Sequence, residues 1–134
     1  MMALTVFNSL YRRLTADATV AALVGDRIFE GVARTQVYPL ITVDVDEMED
    51  DALDAREAPH WNVTIDVVAQ TEADRTALAK AVRGLIDRQE WVDGNVTVVS
   101  AGLTNHDNTT IADGGNADRL FHVAEMAFEV IAAT

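Results

Sequence analysis

The sequence predicts an α+β fold: a single antiparallel or mixed β-sheet of about four to five strands, helices packed on one face, in the order α-α-β-β-α-β-β. Three observations predict it. Leu78, Ala81, Val82, Leu85 and Ile86 recur at i, i+3, i+4, i+7 and i+8, the apolar stripe of a helix that buries one side. Trp61, Val63, Ile65, Val67 and Ala69 alternate with Asn62, Thr64, Asp66, Val68 and Gln70, the period of a strand with one buried face. Short or arm-like connections between neighbouring strands favour antiparallel pairing, with the helices gathered on one side.

The elements follow in order. Thr5 can cap a first helix whose core face is Val6, Phe7, Leu10, Tyr11 and Leu14, with Arg12 and Arg13 near its C-terminal end, where cations suit the helix dipole. Asp17 caps a second, short helix through Val24, and Gly25 supplies the stop. Arg27-Ile28-Phe29-Glu30 can form a short strand, and Gly31 to Gln36 reads as loop. From Pro39, Leu40, Thr42 and Asp44 alternate with Ile41, Val43 and Val45, which predicts a strand. The strand at Trp61–Ala69 comes next. Thr71 and Asp74 open the long helix, Glu72 to Asp87, with Arg75, Lys80, Arg83 and Arg88 on its solvated side. Asp93-Gly94 is a turn signal, and Val96 to Leu103 is strand-like. Asn105 to Ala117, rich in Asn, Asp, Thr and Gly, reads as a loop centred on Gly114-Gly115. Leu120 to Ile131 alternates His122, Ala124, Met126, Phe128 and Val130 against Phe121, Val123, Glu125, Ala127 and Glu129, a long final strand.

With 134 residues, 49% apolar and 24% charged, and neither an internal repeat nor a linker, the chain is expected to form one domain, 1–134. The absence of cysteine excludes disulfides, thiolate metal sites and cysteine nucleophiles, and favours a cytoplasmic origin. Met1-Met2-Ala3-Leu4-Thr5 lacks a basic stretch leading into an apolar one, so no secretory leader is expected, and no apolar run is long enough to span a bilayer. The net charge of −12 and the lack of a basic stripe argue against gripping DNA or an anionic membrane.

A search for chemistry finds none. His60, His106 and His122 do not stand at metal-ligand spacing. Ser9 and Ser100 lie outside any Gly-x-Ser-x-Gly turn, and the lone lysine, Lys80, is on the charged side of a helix. Asp113-Gly114-Gly115-Asn116-Ala117-Asp118 has neither the lysine nor the following helix of a phosphate loop. Trp61 and Trp91 read as packing residues, with an interface anchor as the sharper alternative. The expectation is no catalytic residue, no metal and no cofactor.

One stretch stands apart. Asp44, Asp46, Glu47, Glu49, Asp50, Asp51, Asp54 and Glu57 face a single basic residue, Arg56. Carboxylates this dense resist burial, which predicts an exposed hairpin arm or loop over Asp46 to Glu57. The spacing fails as a calcium loop, since Glu49 falls where the glycine belongs and Ala55 where the last ligand belongs. Asp46, Glu47, Glu49, Asp50, Asp51 and Asp54 are the candidate functional residues. They could line a passage, contact a neighbouring copy through Arg12, Arg13, Arg27 or Arg34, or serve solubility alone.

The opening helix followed by Ala21-Ala22-Leu23-Val24-Gly25-Asp26-Arg27-Ile28-Phe29 resembles the start of the tail-terminator, or tail-completion, family of long-tailed phages and prophages. Tyr38-Pro39-Leu40-Ile41-Thr42-Val43 resembles its next strand, and Trp61 to Ala69 the one after. The helix Glu72 to Asp87 and the closing strand Phe121 to Val130 complete the pattern, which covers nearly the whole chain. The resemblance implies a structural, non-enzymatic protein of a phage-like particle. Such a protein forms a ring, commonly a hexamer, at the head-proximal end of the tail tube. It binds the tail-tube protein on one side and the head-side connector, or stopper, on the other, and ends tube growth. Gene transfer agents use a similar protein. DNA would be met only in passage, without sequence reading, and no membrane is involved. Assembly would take place in the bacterial host cytoplasm, with the protein ending in the tail neck. A small acidic adaptor or binding module, or another head-tail connector component, is the alternative.

Overall fold

The computed structural model describes residues 3–48, 59–113 and 116–133. Helix α1 spans Ala3–Thr15, and its inward residues Val6, Phe7, Leu10 and Leu14 are buried. It begins before Thr5, because half-buried Ala3 packs against the core and holds the first turn without a cap. Helix α2, Ala18–Val24, is capped by the Asp17 carboxylate, which accepts from the Val20 N–H, and closes on Gly25 at φ +58°, a conformation that favours glycine. Strand β1, Ile28–Glu30, lies parallel to β2, Leu40–Glu47. Strand β3, His60–Ala69, runs antiparallel to β2. Helix α3, Glu72–Ile86, starts at Thr71, whose hydroxyl accepts from the Asp74 N–H at 3.1 Å. Strands β4, Trp91–Asp93, and β5, Val96–Asp113, form a hairpin about Gly94, and β6, Asn116–Ala133, returns antiparallel to β5.

The sheet therefore has six strands among the described residues, in the order β1-β2-β3-β6-β5-β4. This corrects the expected four to five strands and the expected order. The chain runs α-α-β-β-β-α-β-β-β, since both three-residue edge strands, β1 and β4, are real. So short a strand shows too little alternation to be counted with assurance from sequence.

A second correction concerns Asn105 to Ala117, expected as loop. Strand β5 continues through it to Asp113 and pairs residue for residue with β6. The ladder of β3 with β6 ends at the pair Ala69–His122, opposite Thr110 of β5, and only beyond that point does the hairpin outrun β3. From Thr104 to Ala112 the β5 side chains are largely exposed on both faces, so nothing imposes an apolar alternation on that part of the sequence.

One face of the sheet carries the core. Trp61, Val63, Ile65 and Val67 of β3 meet Ala124, Met126, Phe128 and Val130 of β6, and all three helices pack over them. Tryptophan 61 is 1% exposed, and the packing reading is the right one for it. Arg75 departs from expectation: placed by periodicity on the solvated side of α3, it is 9% exposed and faces Glu72 at 3.6 Å.

A polar clasp ties β4 to α1. The Trp91 indole N–H donates to the buried Ser9 hydroxyl at 3.0 Å. The Arg13 guanidinium lies 4.4 Å from the Trp91 ring centroid and donates to the Leu85 carbonyl, and Arg12 pairs with Asp93 at 2.6 Å. Trp91 thus fastens an edge strand to a helix.

Candidate functional site

Among the described residues the opposite face of the sheet bears no helix, and the register shows what stands on it. Across one row, Thr42, Asp66, Glu125 and Asp107 are successive cross-strand partners. The next row is Asp44, Thr64, Ala127 and Asn105, and the one after is Asp46, Asn62, Glu129 and Gly102. Six carboxylates, Asp44, Asp46, Asp66, Asp107, Glu125 and Glu129, therefore share one side of four adjacent strands. His60 stands at the edge of this face, its Nδ1 3.3 Å from a Glu129 carboxylate oxygen. Towards the other end the same face turns apolar, with Leu40, Val68 and Val123 as neighbours and Tyr38 packed on Phe121 at 4.7 Å between centroids.

Asp66 is the most constrained member. It is half-buried, and its Oδ1 is enclosed without a hydrogen-bond partner among the described residues. Burial first, then Glu125 and Asp44, raise its pKa above the ordinary carboxylate value. A raised folded-state pKa means that ionised Asp66 opposes folding at neutral pH, and that this penalty disappears as pH falls through the folded pKa towards the unfolded one. Asp66→Asn is expected to stabilise the chain at pH 7 by about 0.5–1 kcal/mol after allowance for solvent screening. The gain should vanish in thermal melts below about pH 4, where the unfolded carboxylate also protonates. An equal gain at both pH values would mean that charge is not the cause.

Of the six residues singled out by sequence, Asp46 and Glu47 are exposed strand residues at the end of β2, not part of a loop. Glu49, Asp50, Asp51 and Asp54 lie outside the described residues. Among the arginines expected to receive the arm, Arg12 is held by Asp93, Arg13 by Leu85 and Trp91, and Arg27 by the Pro39 and Leu23 carbonyls, both at 3.0 Å; Arg34 is exposed. Asp66, Asp107, Glu125 and Glu129 went unnoticed as a group. The outward positions of Asp66, Glu125 and Glu129 are legible from the alternation in β3 and β6, but the strand that carries Asp107 and the pairing of β3 with β6 are not.

Among the described residues no three His, Asp or Glu side chains converge as a metal-binding group. His106 and His122 are engaged with Asn108 and Thr110, at 3.1 and 3.2 Å. No helix among them is long and apolar enough to cross a membrane.

The fold is similar to that of a chain in the solved virion of a native gene transfer agent particle, at 19% identity and a TM-score of 0.70, covering 92% of each chain. A second solved structure, 15% identical, superposes with a TM-score of 0.59 over 98% of this chain and 96% of its own. No curated protein sequence matches. The model of the family described as "Tail completion protein gp17" matches residues 8–130, nearly the full length. The chain belongs to the tail completion protein gp17 family, and is a structural component of a phage-like tail rather than an enzyme.

Proposed function

We propose that this chain forms a ring at the head-proximal end of a phage-like tail tube, ends tube polymerisation and joins the tail to the head-side connector. The observation that carries the reading is the family match over residues 8–130. The fold likeness to a chain of a gene transfer agent virion agrees with a place in a particle. Ring formation, a sixfold count, and the tail-tube protein and the connector as partners are part of this proposal, and the family resemblance supports them. A closed cyclic assembly would present one repeated contact to the tube end.

The acidic sheet face fits the wall of a passage. Duplex DNA carries about one negative charge per 1.7 Å of axis, and carboxylates facing it repel the polymer instead of trapping it. A helix-free, charged β-surface suits such a wall, while the helix side remains for packing.

Deleting the gene from the producing strain tests the reading by electron microscopy of the tails. The expected result is tubes longer than those of the parent and not attached to heads. Tails of parental length joined to filled heads would sink the terminator role. Complementation with Asp44→Asn, Asp46→Asn, Glu125→Gln and Glu129→Gln together should restore tail length and attachment but lower DNA delivery. Unchanged delivery would remove the passage role and leave the terminator role standing.

A further inference from the structure

We propose that copies of this chain join by continuing the β-sheet: the regular edge of β5, Asn105–Ala112, receives the free end of β2, Asp44–Glu47, of a second copy, whose Glu47 meets Lys80 and Arg83. The proposal rests on the ring reading and names the surfaces that would make the ring.

The edges come first. Strand β4 pairs only with Val96–Val98, the Arg88 N–H donates to the Ala101 carbonyl and the Leu103 N–H to the Asp87 carboxylate, and beyond Leu103 β5 has no neighbour on that side among the described residues. After two register shifts, the ladder of β5 with β6 runs unbroken from Asn105 to Ala112. This stretch can template another strand, since among the described residues the backbone N–H and C=O groups on its outer side have no ladder partner. The usual protections are missing: between Asn105 and Ala112 there is no lysine, proline or glycine, and Thr109, Thr110 and Ile111 favour pairing. At the far side of the sheet, β1 covers β2 only as far as Val43. Among the described residues, Asp44–Glu47 therefore also carries a free edge. Two different free edges on opposite sides of one sheet give a head-to-tail contact, the kind that repeats around a ring.

Charge selects the pairing. Arg75, Lys80 and Arg83 of α3 and His106 and Asn108 of β5 line a hollow of about 210 Å³ on the helix side, beside the β5 edge. Lys80 and Arg83 are exposed; Lys80 has no ion-pair partner among the described residues, and Arg83 reaches Asp87 only at 3.8 Å. In a chain of net charge −12 this is a conspicuous concentration of cations. A sheet continued into the next copy keeps its helix side on one side. Along β2, Ile41 and Val43 face the helices, so Val45 and Glu47 do too, while Asp44 and Asp46 face away. The carboxylate of Glu47 then arrives at the cationic hollow, and the acidic faces of all copies align on the other surface.

The absence of cysteine gives a clean test. Particles assembled with a Glu47→Cys, Lys80→Cys double variant are treated with a short bis-maleimide and run on denaturing gels. A ladder of covalent multimers, absent from each single variant, is expected. In solution or on purified tubes, Lys80→Glu with Arg83→Glu should weaken copy-to-copy association by roughly a hundredfold or more, and adding Glu47→Lys to the same chain should restore it. Circular dichroism melts must show the reversed variants folded; if they are not, the cysteine ladder alone decides. Several copies at the tail end without a ladder would overturn these surfaces and leave the ring reading intact. A single copy per tail would overturn both.

Discussion

Phe128→Ala is expected to remove about 3–5 kcal/mol of stability, a large share of the roughly 5–15 kcal/mol available to a domain of this kind. Phe128 is 1% exposed, on the strand at the centre of the sheet, opposite Val63 on one side and Leu103 on the other. Its ring fills the space under the helices, and alanine leaves a cavity that two flanking ladders prevent from collapsing. In thermal melts the midpoint should fall by roughly 10–20 °C. Phe128→Leu, which retains most of the volume, should lose no more than about 1.5 kcal/mol. A loss below about 1 kcal/mol for the alanine variant would show that the core is not closed at this point.

Trp91→Ala should cost about 2–3 kcal/mol although Trp91 is only half-buried. Three interactions end at once: the indole donor to Ser9, the aromatic face beneath Arg13, and the bulk between α1 and β4. Ser9 is 1% exposed, so its hydroxyl has no ready access to water once the indole is gone. Arg13→Lys separates the parts. It keeps the charge but loses the planar group over the ring and the Nε donor to the Leu85 carbonyl. About 1 kcal/mol should be lost there. Additive losses in the Trp91→Ala, Arg13→Lys double variant would show that the two residues do not act as a unit.

The helices and the central strands were readable because each buries one side. Asp17 and Thr71 announce α2 and α3, and the alternation in Trp61–Ala69 and Leu120–Ile131 fixes which side chains enter the core. The rest was hidden for physical reasons. Asn105 to Asp113 has the composition of a turn region, yet β6 satisfies its backbone on one side and no core demands apolar side chains. Arg75 sits at a helical position that periodicity gives to solvent, but the hairpin rises beside α3 and shelters it. The candidate site was half legible. The density of carboxylates after Val43 is plain in the chain, and Asp46 and Glu47 do stand exposed. Asp66, Glu125 and Asp107 are far apart in sequence, and only the β3–β6–β5 pairing makes them neighbours.

The position of β6 also bears on how the protein comes into being. Of the six strands it is made last, and it stands in the middle, between β3 and β5. A nascent chain that has emerged as far as β5 holds two unconnected halves, β1-β2-β3 on one side and β4-β5 on the other, each with an unfinished edge where β6 belongs. Neither can close its apolar face, and sequence-distant pairing such as β3 with β6 comes slowly because so much chain must first be ordered. The sheet is therefore expected to close only after residues 116–133 are made, and until then repulsion between chains of net charge −12 opposes association of emerging copies.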